Sequence, residues 1–500
     1  MKSIEISIYR EEIIMNVLNK TISKPIERPI KVVQFGEGNF LRGFADHMID
    51  IANEQGKFNG SIVLIKPRNT GNLNQFHEQD CQYTVSLRGR VDGEPKVLNR
   101  IVTSVADAVS PYTEYEKYMS LAEIDTLRFV VSNTTEAGIV FDETDQFELN
   151  PPNSFPGKLT KFLFHRFETF GGAKDKGLIM LPAELIDDNG KVLKDCVLKL
   201  ATLWNLSKEF KNWINEACIF TSTLVDRIIT GYPKASEETE WESLGYVDRL
   251  LVTGEPFALW VIESEKDISN EFPLPKAGLP VIYTDNQKPY KQRKVRILNG
   301  AHTSFVLASY LMGNNIVRES MNDENVLNFM MGTLHREVIP TLNLPKEDLE
   351  SFADAVVARF NNPYVDHSLL AISLNSVSKW RARCMPSFLD YIEKTSTLPP
   401  RLTFSLAALM AFYSGTELRE NALIGHRGDC EYRIMDDTAV LEFFRDNSGK
   451  ESCEFAKAFL GRVDFFGQDL NEIAGLTDTI AAHLDAIKSD GMRAALCKTL

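Results

Sequence analysis

The chain has 500 residues, 44% hydrophobic and 25% charged, with 55 basic against 69 acidic side chains for a formal charge of -14. That length calls for two hydrophobic cores. The acidic balance opposes nucleic acid and anionic membrane surfaces as partners, and nowhere do enough apolar residues run together to form a bilayer span.

The opening stretch "MKSIEISIYREEIIMNVLNK" carries Glu5, Glu11 and Glu12 inside any would-be apolar run, so it does not read as a secretory signal. The cysteines, at 81, 196, 218, 384, 430, 453 and 497, form no C-x-x-C pair, which fits reduced thiols rather than a disulfide framework or zinc site. Both features place the expected protein in the cytoplasm. From Ile30 to about Gln287 the runs "IKVVQFG", "SIVLIKP", "LRFVVSN", "GLIMLPAEL" and "CIFTSTLVDRI" read as strands buried on both faces and alternate with helical patterns, which predicts a parallel sheet with crossover helices. "QYTVSLRGRVDGEPKVLNRIVTSV" alternates apolar and polar residues around Asp92-Gly93 and reads as an inserted hairpin; a second β insertion is expected around "RLLVTGEPFALWVIES". Beyond "DNQKPYKQR" strand signals nearly vanish and helix-period runs take over. The predicted organisation is an α/β domain over 1–287 and a mostly helical domain over 288–500.

The first βα turn, "KVVQFGEGNFLRGF", has Gly36 and Gly38 where a dinucleotide site needs a tight turn and a close backbone approach, but Leu41 where a third glycine is usual. The turn with Glu37, Asn39 and Phe40 is a candidate cofactor cradle at a helix N-terminus, the alternative being a purely structural turn. Arg42 lies one helical turn on, where it could reach an anion. After a later strand, "VVSNTTEAG" offers Asn133, Thr134, Thr135 and Glu136 at a strand's C-terminal edge. The second strand ends in Lys66 and Arg68 rather than the acidic residue that marks NAD, so a 2′-phosphate and simple solvation of these charges both stand as readings.

At the predicted domain junction, "QRKVRILNGAHTSF" contains Lys294, Asn299 and His302. On an α-helix of about 100° per residue, Asn299 and His302 share a face, while Lys294 is about 80° from His302 and about 12 Å along the axis. Lys294 joins them only if substrate bridges the gap or the helix begins irregularly. Such a trio suits alcohol oxidation without a metal: a lysine whose pKa is lowered by burial takes the hydroxyl proton, and an amide and an imidazole hydrogen-bond the oxygen as charge develops. No clustered His, Cys and carboxylate set offers an obvious zinc site.

Together "FGEGNFLRGF", "SNTTEAGI", "TLVDRI" and "KVRILNGAH" resemble the long-chain mannitol dehydrogenase family of polyol and sugar-acid dehydrogenases, over nearly the whole chain. The resemblance implies a Rossmann-type N-terminal domain, a helical C-terminal domain, and metal-free hydride transfer with Lys294 as acid/base and Asn299 and His302 on the oxygen. It puts Asp226 near the substrate hydroxyls, a salt bridge to a neighbouring arginine being the alternative, and it implies NAD(H), with NADP(H) not excluded. Leu185 follows Glu184 and Ala371 stands where the mannitol-type enzymes carry polar partners, so the expected substrate is a small sugar acid. Lys379, Arg296 and Arg381 are available for its carboxylate. A keto-hexuronate is the leading substrate, with an epimeric keto acid or a neutral polyol next, and a non-catalytic NAD-binding regulator the reading from another class. Oligomeric state leaves no mark in the sequence.

Overall fold

The apolar runs of the first half become strands: β1 (Ile30–Phe35), β2 (Ser61–Ile65), β3 (Tyr83–Val91), β4 (Glu94–Val102), β5 (Val105–Val109), β6 (Phe129–Ser132), β7 (Ile179–Pro182) and β8 (Ile219–Phe220). The computed structural model describes residues 15–134 and 138–500. Six strands form one sheet in the order β5-β2-β1-β6-β7-β8, every neighbouring pair parallel. Successive residues point to opposite faces. Val32, Ile62, Leu64, Phe129 and Val131 therefore enter one core, and Val33, Phe35, Val63, Ile65 and Val130 the other. Strand order reverses between β1 and β6, and ligands of such doubly wound sheets bind beyond the strand ends at that reversal.

The hairpin β3–β4 turns at Asp92 and Gly93, both with positive φ, as the Asp-Gly signal predicts. The expected second insertion is also present. The remaining strands of this half are β9 (Ser222–Asp226), β10 (Ile229–Gly231), β11 (Val252–Gly254), β12 (Leu259–Glu263) and β13 (Val281–Thr284). Strands β10 and β11 join the hairpin in a four-stranded sheet, while β9, β12 and β13 form a three-stranded one. One expectation needs correction. "CIFTSTLVDRI" is not a single strand: it leaves the large sheet at Thr221 and continues as β9 in another. Asn189 fixes the switch, its Oδ1 accepting from the Thr223 N–H and its Nδ2 donating to Thr223, Pro182 and Glu184 carbonyls.

The chain divides into two units, one holding the residues up to Arg88 and Val97–Gln287, the other Gly89–Lys96 and Lys288–Leu500. In the second, the helices Gly300–Leu311 and Pro400–Phe412 are buried along nearly their whole length, and helices apolar all round occupy the centre of a core. Lys346–Phe360 and Ser376–Arg383 are further helices of this unit. It is not purely helical: β14 (Glu417–Arg419), β15 (Ala422–Arg427) and β16 (Cys430–Ile434) form an antiparallel meander. Its first turn is Glu420-Asn421, both left-handed at φ 46 and 60, a tight hairpin without the usual glycine.

Candidate active site

The glycine turn connects β1 to a helix that begins at Asn39, widens to a π-turn over Arg42–Asp46 and continues as His47–Glu54. Gly36 has φ +127, and a Cβ there would lie 3.1 Å from the Asn133 carbonyl oxygen, so the turn after β1 touches the end of β6 directly. The Gly36 N–H donates to Ile65 O at the end of β2. Gly38, the residue before the helix, is different: among the described residues a Cβ would meet nothing within 4 Å. The protein itself does not need a glycine there, so the open space in front of the helix N-terminus is available to a ligand. Leu41 replaces the third glycine, and Gly43 takes over the close helix–strand packing, since a Cβ on it would sit 2.7 Å from Ile229 and 3.1 Å from Val252.

The polar side chains around this turn are mostly engaged within the protein, by one another and by backbone carbonyls. Arg42 does not reach outward for an anion as its spacing allows: it is buried, donates to Glu37 O (3.1 Å), Asn39 Oδ1 (2.7 Å) and Leu250 O, and lies over the rings of Phe76 and Tyr83. Phe40 stacks on Phe44. Lys66 is not a solvated charge either. Its Nζ is 3.3 Å from Glu37 Oε1 and donates to Thr70 O, while Arg68 is exposed. One turn of helix on, buried Asp46 accepts from Tyr83 (2.6 Å) and Gln34 (3.2 Å), and burial pushes its carboxyl up to about 7. At the end of β6, Asn133 donates to Ala183 O, and Ser132 and Thr134 converge on buried Glu184, whose carboxyl burial also raises. Thr135 and Glu136 lie outside the described residues. A cavity of about 740 Å³ opens beside these strand ends, lined by Pro67, Arg68, Thr134, Phe141 and Phe155 among others.

In the second unit the helix carrying the trio does begin irregularly. Lys294–Asn299 is a π-helix that passes into the α-helix Gly300–Leu311. An i→i+5 turn takes up about one extra residue, so the eight steps from Lys294 to His302 amount to about two turns rather than about 2.2, and the 80° offset of a straight α-helix largely closes. Lys294 and Asn299 are half-buried and His302 is buried. The imidazole stacks on Phe360, centroids 3.9 Å apart, and meets His367 edge-on at 5.5 Å. Burial, then the fields of His367, Arg383, Arg359 and Lys379, hold His302 well below the usual histidine range, so the ring is neutral at ordinary pH. Its Nε2 is buried and has no hydrogen-bond partner among the described residues. An orphaned donor or acceptor of that kind costs roughly 1–3 kcal/mol. A ligand oxygen placed at Nε2 would remove that cost.

Residues 30–276 match the mannitol dehydrogenase Rossmann domain and residues 286–488 the mannitol dehydrogenase C-terminal domain. The chain belongs to the mannitol dehydrogenase family. Among relatives of this member, the altronate oxidoreductase of Yersinia enterocolitica is 42% identical over 489 residues, covering 96% of this chain and 99% of that one. A substrate-free D-sorbitol dehydrogenase structure aligns with a TM-score of 0.75 at 22% identity, over 96% of this chain and 100% of the other. A Pseudomonas fluorescens mannitol 2-dehydrogenase structure, a ternary complex with NAD and D-mannitol, gives 0.64 at 21% over 94% of both chains. At such identities the two structures speak for the fold. This family member is thus an oxidoreductase, a polyol or sugar-acid dehydrogenase with a Rossmann domain of the kind that takes a nicotinamide dinucleotide. The open cradle at Gly38 fits the pyrophosphate of such a cofactor.

The predicted substrate contacts separate. Lys379 is half-buried, donates to Ile372 O and lies near enough for its charge to help lower the His302 pKa. Arg296 is committed to an ion pair with Asp390, and Arg381 is exposed beside Gly467. Asp226 ends β9, buried opposite Leu259; the adjacent Arg227 is occupied by the carbonyls of Phe257, Gly43 and Pro256. Sequence reasoning passed over Arg383, Phe360 and His367, which only the fold brings to the imidazole. It also expected no metal-like cluster, yet His77, Cys81 and Asp107 bring ligand atoms within 4.8 Å of one another. His77 and Cys81 are four residues apart, but Asp107 arrives from β5, and its carboxylate already holds Lys117 at 2.8 Å. No helix among the described residues is long and apolar enough to cross a membrane.

Proposed function

We propose that the protein interconverts a keto-hexuronate and its hexonate, D-tagaturonate and D-altronate, using NAD(H), with Lys294 as general acid and base. The observation that carries the reading is the buried, partnerless Nε2 of a neutral His302, one turn from Asn299 and about two turns from Lys294 across the π-turn. The substrate follows the altronate oxidoreductase relative at 42% identity. In the direction of reduction, the Lys294 ammonium gives its proton to the carbonyl oxygen; in oxidation, the amine takes the hydroxyl proton. Asn299 and His302 donate hydrogen bonds to that oxygen as negative charge grows on it, and a neutral ring does so without competing as an acid. Hydride exchange at the neighbouring carbon is the chemistry that a nicotinamide supplies when bound. Glu37, Gly38 and Asn39 would border the pyrophosphate, and Asn133 and Thr134 the far side of the cleft at the β1–β6 reversal.

Preference for NAD(H) is supported by Lys66, whose charge is matched by Glu37 and so is not offered to a 2′-phosphate. Exposed Arg68 at the cavity rim favours the second cofactor reading, NADP(H). Oxidation of NADH and NADPH is to be followed with tagaturonate, fructuronate and fructose in parallel. Tagaturonate with NADH should give the highest kcat/KM. Equal rates on fructose would overturn the sugar-acid assignment, and faster turnover with NADPH the cofactor assignment.

A further inference from the structure

We infer that Arg383, acting with Lys379, is the binding site for the substrate's carboxylate, a role that neither Arg296 nor Arg381 fills. The inference rests on the sugar-acid reading above. Lys379 and Arg383 are four residues apart on the helix Ser376–Arg383 and share a face, while Arg381, about 200° from each, points away and is exposed. The end of this helix is seated on the start of the helix bearing His302. A Cβ at Gly300 would lie 3.3 Å from Arg383 O, and Cys384 Sγ is 3.7 Å from Gly300 O. Glycine at 300 is what allows that approach, and it brings Arg383 Nη1 to 3.5 Å from Thr303 Oγ1, on the residue next to His302.

Charge balance gives the site its ligand. Lys379 and Arg383 are both half-buried, and among the described residues no carboxylate forms an ion pair with either. The acid nearest in its effect on Lys379 is Asp436, which is engaged by Tyr413 Oη (2.6 Å) and by the N–H groups of Asp437 and Val377. Withdrawing two cations from water without a counter-ion is costly, and an incoming anion offsets that cost. Arg296 shows the contrast: it sits at similar depth but has Asp390. In a hexuronate-derived keto acid about three carbons separate the carboxylate carbon from the reacting carbon. A substrate with its oxygen on His302 Nε2 can therefore lay its acid end against these cations, and a planar guanidinium takes a carboxylate through two parallel hydrogen bonds.

The test compares Arg383→Gln and Arg383→Lys with the wild type, measuring kcat and KM on the keto acid and on fructose, which has no carboxylate. Arg383→Gln should raise KM for the keto acid roughly 10- to 100-fold while leaving kcat/KM for fructose within about threefold. Arg383→Lys should recover part of the loss. Unchanged KM for the keto acid in a folded, cofactor-binding variant overturns the inference, as does an equal loss on both substrates. Should Arg383→Gln not fold, Lys379→Met carries the same comparison. Failure of the substrate reading looks different: the wild type itself would then prefer fructose over every keto acid, and the inference would fall with it.

Discussion

The surroundings of Gly36 and those of His302 treat buried polar groups in opposite ways. Around the turn, Arg42 has three acceptors and two aromatic faces, Lys66 has Glu37, Asp46 has Tyr83 and Gln34, and Glu184 has Ser132 and Thr134, leaving Asp46 Oδ1 and Gln34 Oε1 as the buried exceptions. Around the imidazole, among the described residues, Nε2 has no partner and no carboxylate forms an ion pair with the cations Lys379 and Arg383. Charged groups met by hydrogen-bond acceptors hold a scaffold in shape and leave mainly backbone and empty space for the ligand. Unmatched ones keep free-energy costs that a ligand of the right chemistry removes. Polar groups in the first region should therefore register in stability, and those in the second in turnover and substrate affinity.

The largest effect is expected from Lys294→Ala, which should lower kcat about 100- to 10,000-fold while cofactor binding, followed by fluorescence titration, persists. Turnover near the wild-type value would remove the lysine from the chemistry. Arg42→Ala should cost about 3–5 kcal/mol of stability through the lost packing and the stranded carbonyls, seen as a lower Tm. Its KM for cofactor should stay within about threefold. A tenfold rise in that KM at unchanged Tm would mean that the guanidinium meets an anion after all, and the contrast between the regions would break.

Asp46→Asn should have the smallest effect and sharpens the comparison through pH. Burial raises this carboxyl from 3.8 to about 7, so in the folded protein it keeps a proton that the unfolded chain has released. The associated stability is complete below about pH 4 and is lost as pH rises through about 7, up to about 2–3 kcal/mol of it between pH 5 and 7. Thermal melts across that range should show a steeper decline for the wild type than for Asp46→Asn; parallel profiles would refute the assignment.

Much of this was legible in the sequence for definite reasons. Strands buried on both faces are nearly continuous apolar runs, Asp92-Gly93 supports a hairpin by itself, and the glycine pair announces a turn whose backbone must pass close to another strand. Asn299 and His302 share a face at α-helical spacing, which holds from Gly300 onward. What escaped depends on contacts distant in sequence. Whether Arg42 reaches out or folds back is decided by Leu250, 208 positions away, and Arg296 is claimed by Asp390, 94 positions away. The choice between Arg381 and Arg383 turns on which side of their helix rests against Gly300. The strand break at Thr221 is set by an amide from Asn189, and the glycine-free turn at Glu420-Asn421 lacks the residue that usually marks such a hairpin.

The wide turn from Lys294 to Asn299 makes the lysine's compass bearing a matter of how the chain is wound. Rewinding the same residues at ordinary α-helical spacing would carry the amine about 80° around the axis, with every reacting side chain still present. This segment should thus be most sensitive to exchanges that favour the straight helix over the wide turn.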